Sequence, residues 1–276
     1  MSIFIPRKKE FWQQKPAGSI RVNLSHPIFD GIANGGDFVD CSVLGQSGLI
    51  HELNNPERPG SSGTEKPSEY GAAINYSGIA NDGSLLDLDL TAASQLSIVS
   101  VVKLSHYLSN LDEQSFYRWA SLESAGVSLS VMSTGKIRGL IYTSGGTGIW
   151  TVAQDTAAIV PLDVWYIIAF SWDGSTRTIY SGPVGGEIIA RRTDVCTGTV
   201  SSQASALSVV NGGLHPSSQG SGDSLYTLVK KAPVSLDALN LLSQNVTGVY
   251  EPCQSYGVLP TAAGTAPIMA SALRGA

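Results

Sequence analysis

The segment from Val164 to Tyr180 constrains the fold more than any other stretch of this sequence. Its first part, Val-Trp-Tyr-Ile-Ile-Ala-Phe, is continuously apolar and rich in β-branched and aromatic residues, which predicts a strand buried on both faces. Asp173 and Gly174 separate it from a second strand-forming run, Arg-Thr-Ile-Tyr. Asp-Gly between two such runs is a strong hairpin signal, because the turn needs a positive φ that glycine adopts without steric cost. The segment therefore predicts a hairpin at the centre of a β-sandwich.

Further strand signals occur at short spacing on both sides of this hairpin. Leu86-Asp87-Leu88-Asp89-Leu90 alternates apolar and acidic residues, as a half-buried strand does. Roughly a dozen short strands separated by turn signals predict an all-β sandwich or jelly roll. The predicted strands outside the hairpin are Ala72–Tyr76, Leu85–Leu90, Leu96–Leu104, Phe116–Leu122, Val127–Val131, Ile137–Tyr142, Trp150–Ala153, Ile188–Arg191, Leu207–Val210 and Leu225–Lys231.

One helix is predicted after the last of these strands. Leu236, Leu239 and Leu242 are spaced to share a helical face, and Ser235 before them is a suitable N-cap. The helix should end near Asn245.

The sequence divides into one domain and two arms. Residues 1–36 have little periodicity and contain two early prolines, which predicts an extended N-terminal arm; Phe11 and Trp12 within it predict that the arm docks on another surface. Residues 37–250 form the jelly-roll domain, within which residues 54–67 carry three prolines and are the most loop-like segment. Residues 251–276 form a second arm, rich in alanine, glycine and proline.

The hairpin and its neighbours resemble the laminin-G-like, or concanavalin A-like, jelly roll. Leu162–Phe170, Trp172-Asp173-Gly174 and Ile179–Gly182 are similar to the paired-strand signature of that family. Gly71–Tyr76, Leu96–Lys103 and the strand before the helix are similar to its other strands. Ser181 stands where the family carries an aspartate, so the calcium-site residues of laminin-G domains do not transfer.

Two flanking motifs resemble the version of this domain found in tailed-bacteriophage particles. Ser25-His26-Pro27-Ile28-Phe29-Asp30-Gly31-Ile32 is similar to the segment that precedes the domain in those proteins. Leu242–Asn245 with Val249-Tyr250 is similar to the segment after their helix, although Val246-Thr247 replaces a Pro-Trp pair.

Composition limits the classes of partner. The 276 residues carry a net charge of −5 and only 14% charged residues, against roughly 25% in ordinary soluble domains. This balance argues against a nucleic-acid-binding surface, and the only basic cluster, Arg7-Lys8-Lys9, is predicted to be a solvated tail. No stretch approaches the roughly 20 apolar residues of a membrane span, and no signal peptide is evident. Cys41, Cys196 and Cys253 are widely separated, which predicts free thiols and synthesis in a reducing cytoplasm.

No catalytic, cofactor-binding or metal-binding residue is predicted. Asp87 and Asp89 share a strand face, but the Glu-x-Asp-x-x-Glu pattern of concanavalin A-like glycosidases is absent, which favours solvent-facing aspartates. Residues 81–84 offer oxygen ligands for Ca²⁺ without the spacing of a known loop, so a polar turn is favoured. The glycine-rich residues 144–148 favour a hairpin loop over a phosphate cradle. The histidines His26, His51, His106 and His215 lack metal or triad spacing.

The tryptophans offer one candidate binding residue. Trp119, Trp165 and Trp172 alternate with core positions, which predicts packing roles. Trp150 lies beside the glycine-rich segment and is the candidate for stacking on a sugar ring.

The resemblance implies a virion structural protein, a capsid decoration or a tail or fibre component. The low-charge arms predict assembly with other virion proteins and with copies of the chain itself, since ordering them against a neighbour would bury their apolar surface. The alternative is a module on the virion that binds a host-surface carbohydrate through loops around Trp150. A glycan-cleaving hydrolase is the least favoured interpretation.

Overall fold

The structure is a computed structural model, and it describes residues 20–32, 38–43, 50–52, 55–60, 64–75, 90–108, 113–121, 125–144, 150–152, 159–201, 207–209, 212–213 and 221–252. Antiparallel strands in two large sheets account for most of these residues. The predicted all-β jelly-roll sandwich with one short C-terminal helix is confirmed. The residues predicted as the outer parts of the two arms, 1–19 and 253–276, lie outside the described residues.

Eighteen strands, one 3-10 helix and one α-helix lie within these ranges. The strands are β1 (Ile20–Val22), β2 (Phe38–Val43), β3 (Ile50–Glu52), β4 (Asn55–Gly60), β5 (Thr64–Ser68), β6 (Gly71–Asn75), β7 (Leu96–Lys103), β8 (Glu113–Ser121), β9 (Ala125–Met132), β10 (Ile137–Ile141), β11 (Trp150–Val152), β12 (Tyr166–Trp172), β13 (Thr176–Pro183), β14 (Ile189–Val195), β15 (Leu207–Val209), β16 (Gly212–Gly213), β17 (Asp223–Lys230) and β18 (Tyr250–Pro252). The 3-10 helix is Pro27–Phe29, and helix α1 is Leu236–Gln244.

The larger sheet has the strand order β14-β13-β12-β7-β17-β2-β3-β4, and β6 pairs with both β17 and β5. The smaller sheet has the order β11-β10-β9-β8-β15, with β16 also paired to β8. Strands β1 and β18 form a separate two-stranded ribbon.

The predicted hairpin is confirmed as β12–β13, and β12 lies between β13 and β7 inside the larger sheet. All seven residues of β12 are buried. At the turn, the carboxylate of Asp173 accepts backbone hydrogen bonds from Ser175 at 2.8 Å and Thr176 at 2.7 Å. Gly174 has φ +92°, the positive value that this turn was predicted to need.

An interior core fills the space between the two sheets. Phe170 and Trp172 from β12 are fully buried in it, and Trp119 of β8 is 5% exposed. Gly139 of β10 allows the closest approach, since a Cβ there would lie 2.4 Å from Cδ2 of the Phe170 ring. The packing roles predicted for Trp119 and Trp172 are therefore confirmed.

An outer core covers the opposite face of the larger sheet. Leu239 and Leu242 of α1 are fully buried in it, together with Trp165, whose ring meets Tyr70 edge-on at 6.0 Å between ring centroids. This layer explains why β12 is apolar on both faces, since one face meets the smaller sheet and the other meets the helix layer. Trp165 is thus a packing residue, as predicted, in the second layer.

Helix α1 starts and docks through polar side chains. The predicted N-cap is confirmed, because the Ala238 N–H donates to the Ser235 hydroxyl at 3.2 Å. Before the helix, the Val234 N–H donates to the Ser171 hydroxyl of β12 at 3.0 Å. Asn240 accepts from the Ile188 N–H at 2.8 Å, which ties the helix to the loop before β14.

Two segments differ from the sequence-based expectation. The proline-rich residues 54–67, predicted as a loop, contain strand β4 and most of β5. Strand β4 is the last in its sheet path among the described residues, a position that tolerates Pro56 and Pro59 because an edge strand needs fewer backbone donors. Within residues 1–36, predicted as an arm, Ile28 and Phe29 are buried in the outer core.

Candidate functional site

The two ends of the described chain are paired with each other. Strands β1 and β18 are antiparallel, with Ile20 opposite Pro252, Arg21 opposite Glu251 and Val22 opposite Tyr250. We call these six residues the terminal ribbon. Residues 1–19 and 253–276 are therefore attached to the domain at neighbouring positions.

Hydrogen bonds of Asn23 extend the pairing of the ribbon, and Tyr250 anchors the ribbon on the domain. The Asn23 N–H donates to the Val249 carbonyl at 2.7 Å, and the Asn23 side-chain amide donates to the Gly248 carbonyl at 3.0 Å. Tyr250 is fully buried and meets Tyr226 of β17 edge-on at 5.7 Å between ring centroids. The ribbon is thus anchored on the outer face of the larger sheet.

His26 shapes the chain immediately after the ribbon. Its ring Nδ1 accepts a hydrogen bond from the Ile28 N–H at 3.1 Å, which caps the 3-10 helix that begins at Pro27. Burial lowers the pKa of the imidazole, and the nearby Asp30 carboxylate partly opposes that shift. A neutral ring with Nδ1 as acceptor fits this capping role, so His26 has a structural function here.

The two motifs that resemble phage proteins meet in the structure. Ile28 and Phe29 of the first motif lie in the outer core with Leu242 and Val249 of the second. Gly31 turns the chain away with φ +82°, and a Cβ at that position would lie 3.0 Å from the Cβ of Ala232. Motifs at opposite ends of the sequence thus build one contiguous region at the base of the terminal ribbon.

Lys230 is buried beside this region. Its ammonium group donates to the Asp30 carbonyl oxygen at 2.8 Å, and the side chain belongs to the buried set. Burial lowers the pKa of Lys230 to about 8, although the Asp30 carboxylate acts in the opposite direction. The contact fixes the segment after the 3-10 helix against β17.

The outer face of the smaller sheet holds the predicted sugar-stacking residue. Trp150 of β11 lies opposite Leu140 of β10, Leu140 lies opposite Ser128 of β9, and Ser128 lies opposite Arg118 of β8. Directly opposite residues share a face of an antiparallel sheet. Because Val127 on the same strand as Ser128 points into the interior core, this row of four residues lies on the outer face.

The serines on this outer face are not open to solvent. Ser128 is 6% exposed and Ser130 is fully buried, so β9 is buried on both sides. Ser115 lies opposite Ser130, and its hydroxyl is buried with no hydrogen-bond partner within the described ranges. For Trp150 the structure gives the backbone position on this face, while residues 145–149 of the predicted glycine-rich loop lie outside the described residues.

A polar cluster that the sequence did not reveal joins β7, β8 and β17. The Ser221 hydroxyl donates to the His106 carbonyl at 2.6 Å and lies 3.2 Å from His106 Nδ1. Gln114 bonds to both backbone groups of Ser221, each at 2.9 Å. Because the Ser221 proton is directed at a carbonyl, the pair ties loops together and does not form an activated nucleophile.

A buried arginine lies at the start of β13. Arg177 is 2% exposed, and its guanidinium lies 4.0 Å from the Asp194 carboxylate. Burial raises the pKa of the neighbouring Cys196 thiol, and this effect outweighs the opposing influence of Arg177. Cys196 is therefore a protonated structural thiol, in agreement with its predicted role.

The remaining predicted candidates are spread across the chain or fall outside the described part. Asp87, Asp89, the residues 81–84 and His215 lie outside the described residues, and His51 is described as a backbone position in β3. In the described ranges, no three His, Cys, Asp or Glu side chains are grouped to hold a metal ion. No helix of the described structure has the length and apolar character to span a membrane.

No family model matches this sequence, and no curated protein matches it. Among solved structures, domain 4 of AbnA, a GH43 extracellular arabinanase from Geobacillus stearothermophilus solved with arabinotriose, is similar at a TM-score of 0.50 and 15% identity, covering 82% of this chain and 97% of that chain. The Trypanosoma rangeli sialidase is similar at 0.47 and 12% identity, covering 79% of this chain and 34% of that chain. The botulinum neurotoxin serotype D binding domain is similar at 0.49 and 11% identity, covering 77% of this chain and 52% of that chain.

These likenesses concern the fold. At 15% identity, the similarity to the arabinanase domain agrees with the β-sandwich described above. This chain spans about a third of the sialidase chain and about half of the neurotoxin domain.

Proposed function

We propose that this chain is a structural component of a tailed-bacteriophage particle, a capsid decoration or a tail or fibre component. In this proposal, the residues on either side of the terminal ribbon attach the domain to neighbouring virion proteins. The pairing of Ile20 with Pro252 carries the proposal, because it delivers two separate segments to one place on the surface.

The composition of these segments suits burial against a neighbour. Residues 257–276 contain one charged side chain, Arg274, and the rest are mostly alanine, glycine, proline and aliphatic residues. Such a segment lacks the charge that keeps disordered tails solvated, and it is too poor in large apolar residues to fold alone. Ordering it on a neighbouring subunit would remove its apolar surface from water.

Two attached segments bind better than one. Once the first segment is bound, the second searches only the volume that its short connection allows, at an effective concentration on the order of millimolar. Avidity can then exceed either single affinity by about 10²–10⁴. Attachment at one place on the domain also leaves the rest of its surface exposed.

Incorporation into particles tests the proposal. The full chain, a variant ending at Pro252 and the point variant Val164→Ala, which alters an exposed side chain, are each supplied to a phage lacking the gene. We expect the full chain and Val164→Ala in purified particles at equal copy number, and loss of the shortened chain although its circular dichroism shows a folded β-domain. Equal incorporation of the shortened chain contradicts the proposal.

The row that contains Trp150 supports a second candidate, a module for host-surface carbohydrate. Tryptophan is a residue type that stacks on sugar rings, and Trp150 lies in β11, the last strand of the smaller sheet's path among the described residues. The arabinanase domain of similar fold was solved with arabinotriose, and that sugar is a property of that domain. A glycan array therefore has to cover several sugar classes.

The array separates the two candidates through one side chain. If Trp150 stacks on a sugar, Trp150→Ala loses the bound signal while Trp150→Phe keeps most of it, because the aromatic face remains. Absence of sugar-dependent signal from the wild-type chain removes this candidate and leaves the assembly proposal unaffected.

A further inference from the structure

Strand β14 is an exposed edge of the larger sheet. It is the last strand in the order β14-β13-β12, so within the described residues only β13 pairs with it. Val195 is 76% exposed and Ile189 is 38% exposed, both unusual for β-branched residues in a strand. Exposed edges of this kind are sites where a further strand can add.

The backbone groups of this edge alternate in direction. The Cys196 N–H donates to the Ser175 carbonyl at 2.8 Å, which places the backbone groups of residue 196 toward β13. In an antiparallel pair the direction alternates along the strand, so the groups of Asp194 also face β13. The N–H and C=O groups of Thr193 and Val195 therefore point away from the sheet.

The charges on the edge are self-complementary. Arg192 Nε lies 2.7 Å from the Asp194 carboxylate, and both side chains stand on the sheet face that Arg177 shares. A second copy can add its own β14 antiparallel to this strand, related to the first copy by a two-fold axis perpendicular to the sheet. This rotation leaves the corresponding faces of the two sheets on the same side. In that arrangement, two residues that lie opposite each other must have side chains on the same sheet face. Their sequence numbers therefore differ by zero, two or four, and never by an odd number.

Charge then selects one alignment among those allowed. If the two-fold axis passes beside Arg192, two guanidinium groups lie opposite each other. If it passes beside Asp194, two carboxylates lie opposite each other. Like charges at facing positions destabilise a sheet. If the axis passes beside Thr193, Arg192 of each copy lies opposite Asp194 of the other. Only this last alignment pairs opposite charges, and it does so twice.

We propose that a second copy of this chain binds along β14 in this alignment, with Thr193 opposite Thr193 of the copy. The backbone groups of Thr193 that point away from β13 then gain partners. The irregularity between Ile179 and Tyr180 bends the strand near Arg191 and limits the contact to its C-terminal half. A contact this short is weak in dilute solution and strengthens where a particle holds copies side by side. The inference is independent of the terminal ribbon.

Amide hydrogen exchange on the full chain tests it residue by residue. We expect the exchange of the Thr193 amide to slow as protein concentration rises, while Asp194, already bonded to β13, stays protected throughout. Sedimentation velocity on the same samples follows the accompanying shift toward dimer. Exchange of the Thr193 amide that does not change with concentration overturns the proposal.

A matched pair of variants tests the backbone contact. Thr193→Pro removes the outward N–H without removing a bond to β13, whereas Thr193→Val removes the same hydroxyl and keeps the N–H. We expect dimer from Thr193→Val and none from Thr193→Pro; equal sedimentation of two folded variants overturns the proposal.

Arg192→Glu tests the charge alignment and does not depend on the folding of the proline variant. It places like charges opposite each other twice, and we expect the dissociation constant to rise about tenfold or more. An unchanged dissociation constant overturns the proposed alignment. Because these assays need no particle, their outcome is distinct from that of the incorporation experiment.

Discussion

Arg21 lies directly opposite Glu251 in the ribbon that joins the two ends of the described chain. The backbone pairing places β1 and β18 in this register over three residues each. The pairing also converts two ends that are far apart in sequence into one attachment point. The proposed function depends on this relationship more than on any single side chain of the sandwich.

Reversing one of these charges should loosen the ribbon. Glu251→Lys places two cations opposite each other, and we expect a local destabilisation of about 0.2–1 kcal/mol. Amide exchange of the β1 residues should accelerate accordingly. The double variant Arg21→Glu with Glu251→Lys restores opposite charges and should return exchange to the wild-type rate; failure to do so would show that the pair does not set the register.

The carboxylate of Asp173 should make the hairpin turn sensitive to acid. Partial burial would raise its pKa, but hydrogen bonds from Thr176 and Ser175 outweigh that effect and lower the pKa to about 2. A lowered pKa stabilises the fold above the ordinary value near 4, and this stabilisation is lost as the pH falls toward 2. Because the side chain is exposed, we expect Asp173→Ala to cost about 1 kcal/mol at pH 7. Urea unfolding of both proteins should converge near pH 2, and a gap that persists there would contradict this account.

Lys230 should also make the fold more stable as the pH rises, but in an alkaline window. Its pKa of about 8 lies below the usual 10.5, so the unfolded chain binds more protons between these values and stability rises with pH in that window. We expect a gain of about 2 kcal/mol between pH 8 and about pH 10. Lys230→Met lacks this titration, so the difference in unfolding free energy between the two proteins should change across the window. A constant difference would mean that the ammonium group is not buried.

Gly139 should not tolerate a side chain. An added Cβ would lie 2.4 Å from the Phe170 ring, which is fully buried. We expect Gly139→Ala to destabilise the fold by about 1–3 kcal/mol in chemical denaturation. Gly185→Ala is the comparison, because no atom lies within 4 Å of its added Cβ and only its φ of +80° causes strain. A smaller loss at Gly139 than at Gly185 would show that the two sheets separate more easily than the structure indicates.

The central hairpin was predictable because its signals are local. A continuous apolar run and Asp173-Gly174 specify a buried strand and a turn without reference to other segments. The same holds for α1, where Ser235 caps a helix with a leucine face. The apolar run does not show which elements cover the two faces of β12, because that depends on where α1 packs on the larger sheet.

Segments whose conformation depends on distant partners were harder to predict. The prolines at 56 and 59 indicated a loop, yet an edge position in the sheet accommodates them as strand β4. The sequence places Ile28 and Phe29 in an arm, because nothing near them in the chain indicates the outer core that buries them.

The candidate site was only partly visible in the sequence. The sequence contains both motifs at the base of the terminal ribbon, but their contact depends on the path of the chain after α1, which brings β18 beside β1. The self-complementary charges of β14 gave no signal, because Arg192 and Asp194 become meaningful only once the strand is known to be an edge.

In the proposed function, both segments beside the terminal ribbon attach the domain to neighbouring virion proteins. Amide hydrogen exchange of residues 1–19 and 253–276, compared between the free chain and assembled particles, tests it most directly. We expect both segments to become protected together on assembly, while the amides of β12, already buried, do not change. Protection of neither segment, or of only one, would contradict it.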